Sequence, residues 1–158
     1  MKTYALKLKQ NIPISLDEAW DFFSSPLNLA KITPPEMKFV VTSDYTDNTV
    51  MYPGMIITYK ITPLFGIKMS WMTEITHVED HKYFVDEQRF GPYALWHHQH
   101  HFKEIPGGVE MTDLLHYAIG YGVIGQIGNA VLVGKQVKKI FDYRVKAVDK
   151  LFGNYEAK

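Results

Sequence analysis

The chain has 158 residues, no cysteine, and 17 Lys and Arg against 17 Asp and Glu. Zero formal charge argues against broad electrostatic binding of nucleic acid, and the missing cysteines exclude disulfides, thiolate metal sites and a cysteine nucleophile. With 46% hydrophobic and 14% aromatic residues, disorder is excluded and a core and a cavity wall can both be built from aromatics.

Residues 3–12 alternate Tyr4, Leu6 and Leu8 against Lys7 and Lys9, the pattern of a half-buried strand. Ser15, with Glu18 three residues on, is a capping box. It opens a helix through Ala19, Trp20, Phe22 and Phe23 that stops near Pro26. A short second helix is expected over 27–32. Thr33-Pro34-Pro35 ends it, because a residue before proline disfavours the helical region. Residues 37–43 read as a strand and 44–53 as a polar, turn-rich segment. Residues 55–62 alternate Ile57, Tyr59 and Ile61 against Thr58, Lys60 and Thr62, again a strand.

Residues 67–78 and 83–90 form a hairpin around Glu79-Asp80-His81-Lys82. A tip at Asp80 and His81 pairs Ile75 with Asp86 and Trp71 with Phe90. Residues 94–117 form a second hairpin, turning at Pro106-Gly107-Gly108. After Gly120-Tyr121-Gly122 the period changes. Val133, Val137, Ile140, Phe141, Val145, Val148 and Phe152 fall at helical spacing with lysines opposite, and Gly153 is the expected stop. Gly120, Gly122, Gly125 and Gly128 are not a phosphate loop, since no GK[ST] follows, and no serine sits in a nucleophile elbow.

One antiparallel sheet cannot leave a whole apolar face wet, and the long helix is the element large enough to cover it. The expected class is α+β, a single domain over 1–158, with a gap between sheet and helix of the kind in which small ligands bind. No run approaches the ~18 consecutive apolar residues of a membrane span. The start MKTYALKLKQ lacks a signal-peptide run, so a cytoplasmic location is expected.

The segment from Ala94 to Tyr117 carries five of the seven histidines. Alternation sets Trp96, His98, His100 and Phe102 on one face and Leu95, His97, Gln99 and His101 on the other. The large aromatics mark the first face as the inner one. On the return strand Val109, Met111, Asp113, Leu115 and Tyr117 are the more apolar set, and pairing Phe102 with Met111 brings His100 opposite Asp113. A wide turn at Gly91-Pro92-Tyr93-Ala94 extends the pairing, setting Asp86 beside His100 and Gln88 beside His98.

An imidazole flanked by two carboxylates has its charged form stabilised and its orientation fixed. The row has three open readings. It is a satisfied network that positions strands, a set of polar contacts that orients a ligand, or an acid/base site with His100, Asp113 and Asp86 as catalytic candidates. His98 and His100 could also chelate from one face with Asp113 as a third ligand. Histidines at this spacing on a strand occur without metal, so no metal and no cofactor are expected. The candidate ligand-binding set is Tyr59, Trp71, Gln88, Phe90, Trp96, His98, His100, Asp113 and Tyr117. His97 and His101 point outward and are expected to be solvated. Phe141-Asp142-Tyr143-Arg144 reads as core phenylalanine plus surface charge, or else as Tyr143 or Arg144 reaching the cavity mouth.

Four segments, SLDEAWDFFSSPLNLAKITPPEMKF at 15–39, FVDEQRFGPYALWHHQHHF at 84–102, GGVEMTDLLHYAIG at 107–120 and KIFDYRVKAVDKLFG at 139–153, carry a resemblance over nearly the whole chain. In this order they resemble the SRPBCC superfamily of START-domain, Bet v 1-like and polyketide cyclase/dehydrase-like proteins, and within it the small bacterial ligand-binding members. The resemblance implies a helix-grip fold, in which a curved antiparallel sheet of six to seven strands wraps a long C-terminal helix and two short helices follow the first strand. It implies a cavity that binds a small hydrophobic or amphipathic ligand such as a lipid, polyketide or aromatic. It leaves open a cyclase/dehydratase-type enzyme acting on a polyketide-like substrate, or an interaction domain with a vestigial cavity. No nucleic-acid partner and no stable membrane insertion are expected. Gly120 departs from the family pattern, which often has proline there.

Overall fold

A computed structural model describes residues 2–46, 48–62, 66–120 and 132–156. Among these, seven strands form one antiparallel sheet: β1 (Tyr4–Ile12), β2 (Val40–Val41), β3 (Ile56–Ile61), β4 (Met69–Glu79), β5 (Tyr83–Phe90), β6 (Leu95–Ile105) and β7 (Gly108–Ala118). The spatial order is β1-β7-β6-β5-β4-β3-β2, so the first strand closes against the last. Helix α1 (Leu16–Phe23) and two 3-10 turns (Pro26–Ile32 and Pro35–Met37) connect β1 to β2, and α2 (Gly134–Phe152) follows the sheet. This is the α+β helix-grip architecture. No helix among the described residues is long and apolar enough to cross a membrane.

Helix α1 begins as its capping box dictates. The Glu18 amide donates to Ser15 Oγ at 3.2 Å and the Ser15 amide donates to Glu18 Oε2 at 3.0 Å. The second short helix is of the 3-10 kind, with Pro26 in its first turn and the Thr33 hydroxyl bonded to Leu29 O at 2.6 Å. The strand expected over 37–43 shrinks to Val40–Val41, because Lys38 takes a left-handed φ of +46° and breaks extended pairing.

Alternation along β7 sends Val109, Met111, Asp113, Leu115 and Tyr117 inward, and all five are buried. On α2, Val137, Phe141, Arg144 and Val148 are buried at the spacing of one helical stripe. Leu115, Tyr117, Val137 and Phe141 form one packed cluster, and a larger one runs from Ile12 through Trp20, Tyr59 and Trp71 to Val148. Gln10 of β1 ties down α2, donating to Val145 O at 3.0 Å and Asp149 Oδ1 at 2.8 Å. The helix stops at Gly153, whose φ of +90° favours glycine. Gly122, Gly125 and Gly128 lie outside the described residues.

The β6–β7 register is as expected, with Phe102 opposite Met111 and His100 opposite Asp113. Two other registers differ. In β4–β5 Ile75 does face Asp86, but the pairing skips Arg89, so Phe90 lies opposite Met72 and not Trp71. A one-residue bulge flips the following side chain to the other face, and Phe90 is 64% exposed. In β5–β6, Asp86 faces His98 and Phe84 faces His100, two residues from the expected pairing. Direct pairing ends at Glu87 and His97, leaving a wide connection. Gln88 spans it, donating from Nε2 to Tyr93 O at 2.6 Å and accepting from the Tyr93 amide at 3.1 Å. Gly91 permits this clamp, since a Cβ there would lie 2.4 Å from Gln88 Oε1. A shift of two residues preserves the inward face, so His98 and His100 remain inside.

Candidate functional site

Between α2 and the inner face of the sheet lies a cavity of about 150 Å³, partly open to solvent. Its wall is mostly apolar. Tyr59, Trp71, Trp96 and Tyr93 supply linked rings, with Tyr59–Trp71 stacked at 5.8 Å and Trp71–Trp96 edge-on at 5.3 Å between centroids. Thr73 satisfies the polar ends of two of them. Its Oγ1 is 2.9 Å from the Tyr59 hydroxyl and accepts from Trp71 Nε1 at 3.1 Å. Burial holds the Tyr59 phenol well above its usual pKa, and the charge of Asp86 adds to this.

The polar end of the cavity is made by Asp86, His98, His100 and Arg144. Asp113 closes the group from behind. Each imidazole lies opposite one carboxylate and diagonal to the other, because β6 runs between β5 and β7. His100 Nε2 is 2.7 Å from Asp86 Oδ2 and its Nδ1 is 3.1 Å from Asp113 Oδ1. His98 Nε2 is 2.9 Å from Asp113 Oδ1 and its Nδ1 is 3.4 Å from Asp86 Oδ2. The two imidazole centroids are 3.8 Å apart, and His100 stacks on Phe84 at 4.2 Å. Arg144 Nη2 reaches to 3.6 Å from Asp113 Oδ1 and 3.4 Å from His100 Nδ1, with its guanidinium 5.5 Å from the Phe23 ring centre.

Burial pushes both carboxyl groups up, but their partners win. Hydrogen bonds from His100 and His98 bring Asp86 well below the usual carboxylate range. The charge of Arg144 and the two imidazoles do the same for Asp113. Burial works against charge on His98, and its hydrogen bonds to Asp113 and Asp86 outweigh that, raising its pKa. With both carboxylates ionised and Arg144 charged, one imidazolium makes the cluster neutral. Such a set can orient a polar group, hold a proton at a ring nitrogen, or present nitrogen and oxygen donors to a cation. One donor atom from each of Asp86, His98 and His100 lies within 4.8 Å of the other two.

Of the nine candidate ligand-binding residues, Tyr59, Trp71, Trp96, His98 and His100 line the cavity. Gln88 holds the β5–β6 connection instead, and Phe90 faces solvent. Tyr117 packs beside the cavity, stacking on Tyr4 at 5.6 Å within the cluster of Val137 and Phe141. Asp113 is buried behind the two histidines. The three catalytic candidates do come together around His100, although Asp86 reaches it diagonally. His97 is on the outer face but only 28% exposed, paired with Glu87 at 2.8 Å; His101 is half-buried there and stacks on Tyr83.

Residues outside the candidate set also form the wall. Arg144 falls in phase with Val137, Phe141 and Val148, so a charged residue on an apolar stripe was the signal. Thr73 sits between Trp71 and Ile75 on the inner face of β4, a polar break in an apolar row. Tyr93 is in a connection without periodicity and carried no such signal.

No family model and no curated protein matches the sequence. Solved structures do match. Protein Ms6760 from Mycobacterium smegmatis is 20% identical with a TM-score of 0.66, covering 93% of this chain and 89% of that one. The ginseng major latex-like protein 151 of Panax ginseng is 12% identical with a TM-score of 0.67, covering 95% and 97%. The di-domain ARO/CYC BexL from the BE-7585A biosynthetic pathway is 14% identical with a TM-score of 0.69, covering 98% of this chain and 51% of that one. Likeness at these identities is likeness of fold, here the helix-grip fold.

Proposed function

We propose that this helix-grip chain binds a small hydrophobic or amphipathic ligand, of lipid, polyketide or aromatic type, between the sheet and α2. The cavity carries the reading: an aromatic wall closed at one end by a buried, hydrogen-bonded polar cluster suits a molecule with an apolar body and one polar group. A free volume of about 150 Å³ matches an engineered apolar cavity that takes up benzene. As it stands it holds a single ring. A longer ligand requires the unbranched, adaptable side chains of Met37 and Met51, both on the wall, to shift.

The test is native mass spectrometry of the freshly purified full chain, followed by solvent extraction and identification of any bound species. Candidate ligands are then titrated against tryptophan fluorescence. Trp71 and Trp96 line the cavity whereas Trp20 does not, so quenching should survive Trp20→Phe and be lost when Trp71 and Trp96 are both changed to Phe. No bound species and no quenching by any lipid, polyketide or aromatic would support an interaction domain with a vestigial cavity.

A second reading, a cyclase or dehydratase acting on a polyketide-like substrate, is favoured by His98 and His100 opening onto the cavity. There an imidazolium could give a proton to a ligand oxygen. The ARO/CYC description of BexL points the same way. Turnover of a poly-β-ketone mimic, lost in His100→Ala with binding retained, is the result this reading requires.

A further inference from the structure

We propose that Asp86, His98 and His100 form a binding site for one divalent transition-metal ion at the polar end of the cavity, with Asp113 as the residue that orients both imidazoles. The site is complete without any organic ligand.

Convergence is the first observation. Asp86 Oδ2 lies 2.7 Å from His100 Nε2 and 3.4 Å from His98 Nδ1, and one donor atom from each of the three residues lies within 4.8 Å of the others. Two ring nitrogens therefore lie within 3.4 Å of one point, which a carboxylate oxygen now occupies. Ligand distances of 2.0–2.2 Å would require Asp86 to draw back as the ion takes that place. Asp86 is the member able to do so, since its side chain is 16% exposed against 5% and 6% for the histidines.

The second observation lies on the far side of the rings. Asp113 Oδ1 is 2.9 Å from His98 Nε2 and 3.1 Å from His100 Nδ1. His100 Nε2 now donates to Asp86. With an ion in place of that Asp86 oxygen, the Asp113 oxygen is placed to take the outer N–H of both imidazoles, which would turn the lone pairs of His98 Nδ1 and His100 Nε2 toward the ion. A metal-binding histidine typically donates its other ring N–H to a carboxylate, which sets the tautomer and raises ligand basicity. Here a single residue is placed to do so for two ligands, and Arg144, 3.6 Å away, keeps that residue ionised.

The third observation is access. Asp86, His98 and His100 line the cavity and Asp113 does not, so the donors face the lumen and their support is behind them. Positions not filled by protein would be open to water or to an oxygen atom of a cavity ligand. Two imidazole nitrogens and one carboxylate oxygen, without thiolate, suit a borderline ion such as Zn2+, Co2+ or Fe2+ better than Mg2+ or Ca2+. The two carboxylates carry one more negative charge than Arg144 offsets. A dication would leave a single positive charge at the end of the cavity, favouring an anionic oxygen on any ligand that shares the ion.

The full chain, treated with a chelator and exchanged into non-coordinating buffer, is titrated with CoCl2 and followed by visible absorption. One equivalent should saturate a d–d band, and ZnCl2 should bleach it. His98→Ala and His100→Ala should each abolish the band. Asp113→Asn should keep the stoichiometry and weaken affinity ~10–100-fold, the usual effect of losing such a partner. His116 faces His97 across β6 and β7, in the outward phase of β7. This outer-face pair, as His97→Ala and His116→Ala, should change nothing. Near-ultraviolet circular dichroism checks that each variant is folded. If a cavity variant fails to fold, the parent and the outer-face pair still decide. No band at millimolar cobalt, more than one equivalent, or loss of the band in the outer-face pair would overturn the site.

Discussion

Arg144 of α2 meets Asp113 of β7 across the interface between helix and sheet, its Nη2 3.6 Å from Oδ1 with both side chains buried. The contact joins the element that grips to the element gripped. It also offsets a carboxylate that would otherwise be held in the interior by imidazoles alone.

Arg144→Met should therefore destabilise the fold. Removing one partner of a buried ion pair typically costs ~3–5 kcal/mol, because a charge is left uncompensated. The cost here should fall toward the low end, since His98 and His100 remain on Asp113. Arg144→Lys keeps the charge and should cost less than Arg144→Met. Denaturant midpoints of the three proteins provide the comparison, and equal midpoints would mean the contact contributes nothing.

His100→Ala should cost ~1–3 kcal/mol, the penalty for leaving buried polar groups unpaired. Both Asp86 and Asp113 lose a partner in that variant. His97→Ala, on the outer face, loses one partly exposed contact with Glu87 and should cost less than His100→Ala. Urea unfolding of both variants checks this. Equal costs would show that the inner and outer faces are energetically alike.

Phe141→Ala should cost ~3–5 kcal/mol, as for a buried aromatic whose space cannot fully collapse. Phe141 is 5% exposed, packs with Leu115, Tyr117 and Val137, and lies edge-on to His98 at 5.4 Å. The variant should also disturb the cavity, which Phe141 lines. An unchanged thermal midpoint would mean that α2 does not stabilise the sheet.

The cap of α1 should make stability depend on pH in the acid range. Hydrogen bonds from the Ser15 backbone and hydroxyl lower the pKa of Glu18 in the folded state. A depressed carboxylate contributes stability above its unfolded pKa, and that contribution is lost as pH falls through the folded pKa. Replacing Glu18 with Gln should flatten this part of the stability–pH curve while leaving the neutral-pH fold intact. Chemical denaturation between pH 2 and 7, a range spanning the ordinary carboxylate values, is the measurement.

Local patterns were legible where short-range chemistry decides them. The capping box at Ser15 and Glu18 needs only three residues of spacing, and it forms. The stripe of Val137, Phe141 and Val148 follows from helical period alone. That period also contained Arg144, but a position on a stripe does not name a partner. Asp113 lies 31 residues earlier in the chain and meets Arg144 through the docking of α2.

Alternation and one tight turn were enough, within the sequence itself, to turn His98, His100 and Asp113 inward and to set His100 opposite Asp113. A turn at Pro106 and Gly107 leaves the two strands one in-phase pairing, and slipping it by one residue would bury the polar face. The tertiary structure alone decided where Asp86 and Phe90 stand. A bulge at Arg89 turns Phe90 to solvent, and the wide connection clamped by Gln88 moves β5 two residues along β6. Bulges and wide connections are selected by packing across the whole sheet, not by the residues that form them. The meeting of two carboxylates, two imidazoles and Arg144 at one end of a cavity thus depends on how three strands and a distant helix pack together.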